Sequence, residues 1–376
     1  MGRILHIAYF VHDLSDPAVA RRVRMFEAGG ARVSLIGFRR SERPPAFANL
    51  VKLIDLGRTE DAQLKKRALS VLKTWLSIGP VARAIKGADV VVARNLEVML
   101  LAARAAGPGA PLVYESLDIH RSLLSQGAAG RLLRAIERSL LRKTKLLITS
   151  SPAFVERYFE PVQGYRGPIL LVENKPLALD GGPPPDRRGP EPGPPWRIGW
   201  FGMLRCAKSL GILRGLAAAL PGRVEVVIAG RPALTEFGDF HAEVPSPGVR
   251  FLGAYGPDDL ERLYGQVHFT WAIDYFEEGQ NSAWLLPNRL YEGGLHGTPA
   301  IALRAVQTGR WLADHGAGLL LDDPEADLPR LFGELTPARY AELRAAALAV
   351  PIEDLRTSSE DCRRLVARLG ELGGAA

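Results

Sequence analysis

Apolar and polar positions along this chain follow two alternating rhythms. Continuous apolar runs such as ILHIAYFV at 4–11, ARVSLIGF at 31–38 and ADVVVARN at 88–95 read as strands buried on both faces. Between them, AVARRVRMFEAGG at 18–30 and EVMLLAARAAG at 97–107 place apolar residues at helical spacing and end on glycine. The order continues through a strand in PLVYESLDIH (111–120), a helix and strand in GRLLRAIERSLLRKTKLLITSS (130–151), a helix in PAFVERYF (152–159) and a strand in LLVENKP (170–176). Alternation of this kind predicts a doubly wound parallel sheet, with its ligand loops beyond the carboxyl ends of the strands.

A break follows. Positions 181–195 hold seven prolines and four glycines, too many breakers for a helix and too few apolar residues to pack, so a linker is expected. Beyond it the rhythm resumes: WRIGWFGMLRCAKSLGILRGLAAAL (196–220) as strand, loop and helix, VEVVIAGRPA (224–233) as strand with Gly230 at a bend, and VRFLGAYGPDDLERLYGQVHFTWAI (249–273) as strand, loop, helix and strand. LLPNRLYEGGLHGTPAIAL (285–303) then gives a helix that Pro287 can start, a tight turn and another strand. The last helix opens on Ser358 with Asp361 three residues on, a capping pair.

Composition adds bounds. With 376 residues the chain suits two domains, and 47% hydrophobic with 24% charged residues is globular. Two cysteines far apart, Cys206 and Cys362, exclude a disulfide scaffold or a Cys-rich zinc site. No apolar run is long enough to span a membrane, and the opening strand is too short for a leader core, so a cytoplasmic protein is expected. Charge is lopsided: residues 1–178 carry 28 Lys and Arg against 15 Asp and Glu, a net +13, and the remainder 20 against 26. An anionic partner is one reading of the basic half, and simple solvation of arginine is the other. Within it, QLKKRALSVLKTWLSIGPVARAIK (63–86) is basic and amphipathic, suited either to an anionic membrane surface or to a core-facing helix.

The chemistry-bearing positions cluster where the pattern puts loops. His12, Asp13 and Asp16 follow the first strand; Asp16 before Pro17 is also a routine helix start. Glu115, Asp118 and His120 are expected past the end of their strand, in the crevice, although the Asp-x-His pair could cap the next helix instead. Glu292 lies about one turn inside a helix whose free N–H groups suit an anion. GxGxxG, HExxH, GxSxG and Walker loops are absent, and nucleic-acid binding rests on charge alone.

PNRLYEGGLHGTPAIA resembles the C-terminal signature of family 4 glycosyltransferases, and the VxNxP of LLVENKP resembles that family's last strand before its interdomain linker. The resemblance spans nearly the whole chain, with its motifs in the family's order. It implies an α/β fold of the GT-B type: two Rossmann-like, doubly wound parallel-sheet domains facing across a cleft. The boundaries expected are 1–178 for the acceptor domain, joined by the helix 358–372, then a linker at 179–195 and a donor domain at 196–357. The family's diphosphate element is represented by Gly202, Arg205 and Lys208, with Met203 where arginine commonly follows the glycine. Leu252, Gly253 and Tyr255 would receive the base, and Pro287, Asn288, Arg289, Leu290 and Glu292 would hold diphosphate and ribose, with Gly230 and Asn281 as further substrate-binding candidates. Asp118 and His120 would sit against the sugar, and His12 and Asp13 near the sugar and acceptor. Trp284 stands where the family's first paired glutamate usually lies; Glu277, Glu278, Gln280 or Asn281 can replace it.

The activity implied is a retaining, metal-independent transfer of a hexosyl group from a UDP or GDP sugar to a lipid-linked or polysaccharide-precursor acceptor. No cofactor is expected beyond the nucleotide sugar, and peripheral attachment to the inner face of the plasma membrane goes with the basic half. The alternatives are a sugar-nucleotide epimerase of the same fold and a catalytically silent nucleotide-sugar-binding subunit.

Overall fold

The computed structural model describes residues 3–42, 47, 49–59, 64–107 and 109–374; Gln63, where the basic segment begins, and the side chains of 64–68 lie outside the described residues. The chain forms two compact units, residues 1–173, 177–181 and 358–376 in one and 174–176 with 182–357 in the other.

The N-terminal unit is built on seven parallel strands: β1 (His6–Val11), β2 (Arg32–Arg39), β3 (Lys52–Arg58), β4 (Val90–Arg94), β5 (Leu112–Ser116), β6 (Thr144–Thr149) and β7 (Ile169–Leu171). Their order is β3-β2-β1-β4-β5-β6-β7, so the winding reverses between β1 and β4. The helices used below are α1 (Pro17–Ala28), α2 (Leu64–Leu76), α3 (Leu96–Ala105) and α4 (Ala128–Leu141). The basic segment 63–86 is therefore two helices, because Gly79 and Pro80 start a second one, Gly79–Ala84. Strand β3 escapes the apolar pattern: none of its residues is fully buried, as suits the edge of a sheet.

The C-terminal helix Ser359–Leu372 belongs to this unit. Ser358 and Asp361 form the expected reciprocal cap, and Cys362, Leu365, Val366 and Leu369 pack into one core with Val19, Val23 and Phe26 of α1. Each such buried aliphatic side chain contributes about 1.5–3 kcal/mol. Gly29 lets the two helices close in, since a Cβ there would stand 2.3 Å from the Cys362 carbonyl oxygen.

The C-terminal unit has six parallel strands: β8 (Trp196–Leu204), β9 (Val224–Pro232), β10 (Val249–Phe251), β11 (Phe269–Trp271), β12 (Ala300–Leu303) and β13 (Leu319–Leu321). They run in the order β10-β9-β8-β11-β12-β13, reversing between β8 and β11. Helix α5 (Ala207–Ala219) follows β8 and helix α6 (Asn288–Leu295) precedes β12. Trp196, Trp200 and Trp271 are fully buried in the core of this unit.

The proline-rich segment forms no helix or strand, yet it does not hang free. Arg187 donates to the carbonyls of Leu295 (2.9 Å), Leu348 (3.2 Å) and Gly294 (3.3 Å), pinning 182–195 within the C-terminal unit. Other arginines serve likewise: Arg134 donates to the Leu123 and Ser125 carbonyls, Arg138 to those of Gln163 and Val162. Part of the positive charge of the first half is thus spent on satisfying backbone.

Candidate functional site

In the C-terminal unit the carboxyl ends of the strands carry most of the expected residues. Gly202 and Gly230 are not in loops: β8 runs on to Leu204 and β9 to Pro232, and the two glycines are partners in the ladder between them. Both have left-handed backbones, φ 119° and 144°, and a Cβ on Gly230 would stand 1.8 Å from the Gly202 carbonyl oxygen. The Gly230 N–H donates to the Gly253 carbonyl at 2.8 Å. Three glycines thus bring bare backbone together at the ends of adjacent strands, with Leu252 and Met203 exposed beside them.

Arg205 sits in the short gap between β8 and α5, and Lys208 in the first turn of α5, whose cap is Cys206 through a Sγ acceptor to the Ser209 N–H at 3.3 Å. One loop, after β11, provides partners for both cations. Asp274 lies 3.1 Å from Arg205 and Phe276 lies under its guanidinium at 4.7 Å. The Lys208 ammonium donates to both oxygens of Glu278, at 3.0 and 3.1 Å, and stands 4.1 Å from the Tyr275 ring centre. The two pairs differ in fixity. Asp274 is buried and its other oxygen accepts from the Phe276 N–H (2.9 Å), whereas the side chains of Lys208 and Glu278 are 46% and 58% exposed.

Helix α6 opens without a cap. Pro287 stands at the capping position in an extended conformation, one residue earlier than a first-turn proline, and offers no side-chain acceptor. The leading N–H groups of Asn288 and Arg289 therefore have no capping side chain. Arg289 Nη1 is shielded from solvent and has no hydrogen-bond partner among the described residues. One turn on, Glu292 accepts from Tyr264 at 3.3 Å. Tyr264 is itself wedged between Phe201, edge-on at 5.1 Å, and His296, stacked at 5.2 Å. Burial and the Glu292 carboxylate push the Tyr255 and Tyr264 phenols upward, so both stay neutral. The Leu290 side chain is buried in the apolar cluster of α6 and can offer a ligand only backbone. Asn281 is buried at the start of the short helix Asn281–Trp284.

In the N-terminal unit the winding reverses at β1 and β4, and the loops there meet. His12 Nδ1 is 3.3 Å from the side-chain nitrogen of Asn95, which has φ 73°, the one non-glycine left-handed residue among those described. Sequence reasoning passed over Asn95: asparagine tolerates a positive φ better than most residues, but its type alone does not mark which asparagine adopts one. Asp13 is 5% exposed and shapes its loop rather than facing outward: it accepts from the Ser15 N–H (2.9 Å) and Arg40 N–H (3.3 Å) and pairs with the Arg40 guanidinium at 3.4 Å. Asp16 caps α1 through the Ala18 N–H.

Glu115 is a correction. It lies inside β5, wholly buried, bonded by Arg22 (2.5 Å), Arg94 (2.7 Å) and the Tyr9 hydroxyl (2.5 Å). Burial opposes its ionisation, but the attraction of Arg94 and Arg22 outweighs burial and holds the carboxyl at about 2. It is a core ion cluster, not a crevice acid. The available signal was Arg94 and Glu115 at the ends of neighbouring strands, where they are ladder partners. Asp118 and His120 do lie beyond β5, exposed. His120 caps the short helix Arg121–Leu124 by accepting the Ser122 N–H on Nδ1 at 3.2 Å, which leaves the proton of its neutral ring on Nε2.

No cluster of three or more His, Cys, Asp or Glu side chains suited to a metal is found among the described residues. A cavity of about 410 Å³ in the N-terminal unit lies by the amino ends of β4 and β5, beside Lys86 and Pro111, away from all these loops.

Two doubly wound parallel sheets, each with its polar loops at the strand ends beside a reversal of winding, define the GT-B class of glycosyltransferase architecture. Within that class the chain belongs to the family 4-like glycosyltransferases, and it is a glycosyltransferase. The glycosyl transferase 4-like domain matches residues 16–175. The succinoglycan biosynthesis protein ExoL of Rhizobium meliloti (strain 1021) is 46% identical over 381 residues, covering 98% of this chain and 94% of ExoL. Among solved structures, sucrose-phosphate synthase of Thermosynechococcus elongatus superposes with TM-score 0.71 at 14% identity, over 99% of this chain and 100% of that one. HepE of Anabaena, in complex with UDP, gives 0.66 at 15%, over 97% and 99%.

Proposed function

We propose that this glycosyltransferase moves a hexosyl group, with retention and without a metal, from a nucleoside diphosphate sugar to a lipid-linked or polysaccharide-precursor acceptor. The observation that carries the reading is the uncapped start of α6, with the buried Nη1 of Arg289 at its second residue, which has no hydrogen-bond partner among the described residues, and Glu292 one turn inside. A diphosphate supplies acceptors for those donors, and a ribose supplies hydroxyls for the Glu292 carboxylate.

As the bond to the anomeric carbon breaks, charge builds on the departing diphosphate. Arg205, Lys208, Arg289 and the α6 N–H groups stabilise it, each more strongly in the transition state than before it. The backbone at Leu252 and Gly253, with Tyr255, takes the base, and Gly202 and Gly230 leave room for the chain of phosphates. Asn281 and the loop at Glu277, Glu278 and Gln280 take the place of the family's first glutamate near the hexose. We assign Asp118 and His120 to orienting sugar and acceptor, with His12 beside them. The acceptor attacks from the face the diphosphate leaves.

ExoL is named for succinoglycan biosynthesis, and HepE is described with UDP and with UDP-glucose. UDP sugars are accordingly the first donors to try and a polysaccharide precursor on a lipid carrier the first acceptor, met at the cytoplasmic face of an anionic membrane. Purified protein incubated with labelled UDP, GDP and ADP sugars tests the reading. Slow release of nucleotide, accelerated by acceptor, is expected. Interconversion of the sugars would show an epimerase, and binding without turnover a silent subunit; either would overturn the transferase reading.

A further inference from the structure

Helix α2 has two apolar faces and only one of them is covered. Trp75 lies under the Arg104 guanidinium of α3 at 3.9 Å, which turns that side of α2 toward α3. Leu69, Leu72 and Leu76 are 52%, 51% and 66% exposed. At about 100° per residue they fall within an arc of roughly 60°, whose centre is about 90° round the helix from Trp75. No other helix among those described carries more than one exposed large apolar side chain.

The charge around this stripe selects its partner. Residues 62–88 contain Lys65, Lys66, Arg67, Lys73, Arg83 and Lys86 and no acid. Lys73 lies next to Leu72 on the exposed side of α2, and Lys65, Lys66 and Arg67 are in the opening turns of the same helix. Protein interfaces are depleted in lysine at their centres, whereas leucines flanked by lysines suit the boundary between acyl chains and phosphate head groups. No helix among the described residues is long and apolar enough to cross a membrane, so the contact would be lateral.

We propose that α2 docks the protein on an anionic lipid monolayer, with Leu69, Leu72 and Leu76 entering the acyl boundary and Lys73 at the phosphates. The proposal deepens the reading of a membrane-borne acceptor and rests on it for its purpose, but its test is separate.

Full-length protein is sedimented with vesicles of phosphatidylcholine, alone or mixed with phosphatidylglycerol, at low and high salt, and UDP binding is titrated on the same samples. The wild-type chain is expected to partition at least about tenfold better onto the anionic vesicles and to lose this in high salt. The Leu69→Ser, Leu72→Ser, Leu76→Ser variant is expected to partition on the order of tenfold less, with unchanged thermal unfolding and UDP binding. Failure of the wild type to bind anionic vesicles, or a triple variant that binds as well as wild type, overturns the proposal. So does self-association of the wild type that the variant loses while vesicle binding is absent, for then the stripe pairs two copies. Vesicle binding without UDP binding would instead sink the nucleotide-sugar reading and leave the docking face standing.

Discussion

Replacing Glu278 by glutamine removes a carboxylate that shares the Lys208 ammonium. A diphosphate oxygen needs the same donor, so Glu278 and the nucleotide compete for it. Both partners are about half exposed, 46% and 58%, and such a pair is worth about 0.2–1 kcal/mol. Glu278→Gln should therefore tighten UDP binding by a factor of about 1.4 to 5. Removing the cation is the larger perturbation: Lys208→Ala deletes a charge-assisted hydrogen bond of about 1.5–3 kcal/mol and should weaken UDP roughly 10- to 150-fold. Calorimetric titration of the two single variants and the double variant closes the cycle. In the Lys208→Ala background the Glu278→Gln gain should vanish, and in wild type it should shrink as salt rises. A Glu278→Gln protein that binds UDP more weakly, or gains equally with and without Lys208, refutes the competition and shows that Glu278 touches the ligand directly.

Four further outcomes follow from the geometry. Gly230→Ala, with its Cβ 1.8 Å from the Gly202 oxygen and a left-handed backbone, should cost about 2–4 kcal/mol in denaturant unfolding, while Gly253→Ala, left-handed but with open space, should cost only about 1–2. Arg289→Ala should weaken UDP binding in calorimetric titration, since Nη1 is a buried donor with no hydrogen-bond partner among the described residues. Glu115→Gln should destabilise by about 3–5 kcal/mol, because Arg22 and Arg94 are left buried beside a neutral amide. The wild-type carboxyl, ordinarily near 4.5, is held at about 2, so its contribution is full above pH 4.5 and disappears as pH falls toward 2. Urea titrations at a series of pH values should show the gap between variant and wild type closing across that window. His268 adds an earlier loss. Burial lowers it to about 4 from 6.5 while it accepts from the Arg197 N–H and meets the Glu191 carbonyl, so stability should already decline as pH falls from 6.5 to 4, and a nuclear magnetic resonance titration of its ring should show the depressed midpoint.

The doubly wound sheets were legible because β1, β2, β4, β8 and β9 each carry a largely apolar run, as strands covered on both faces do. Strand β3 was not, since an edge strand half in solvent shows no such run. The α6 element could be read from residue types, as proline, glutamate and small residues carry the anion-binding geometry locally. What escaped depends on long-range contact. That Glu278 pairs with a cation shows only once Lys208, seventy positions earlier, is in place. Glu115 looked like a crevice acid until Arg22 and Arg94, remote in the chain, closed around it. Asn95 differs from any strand-ending asparagine only in its dihedral angle.

The N-terminal unit draws on chain that precedes and chain that follows the C-terminal unit in sequence, because the helix Ser359–Leu372 packs into its core and is translated after residues 182–357. While the ribosome makes residues 182–357, the α1 surface of Val19, Val23 and Phe26 waits without Cys362, Leu365 and Leu369, so the second unit is made while the first is still incomplete. A stop codon just before Ser358 would consequently damage the unit made first and spare the one made second.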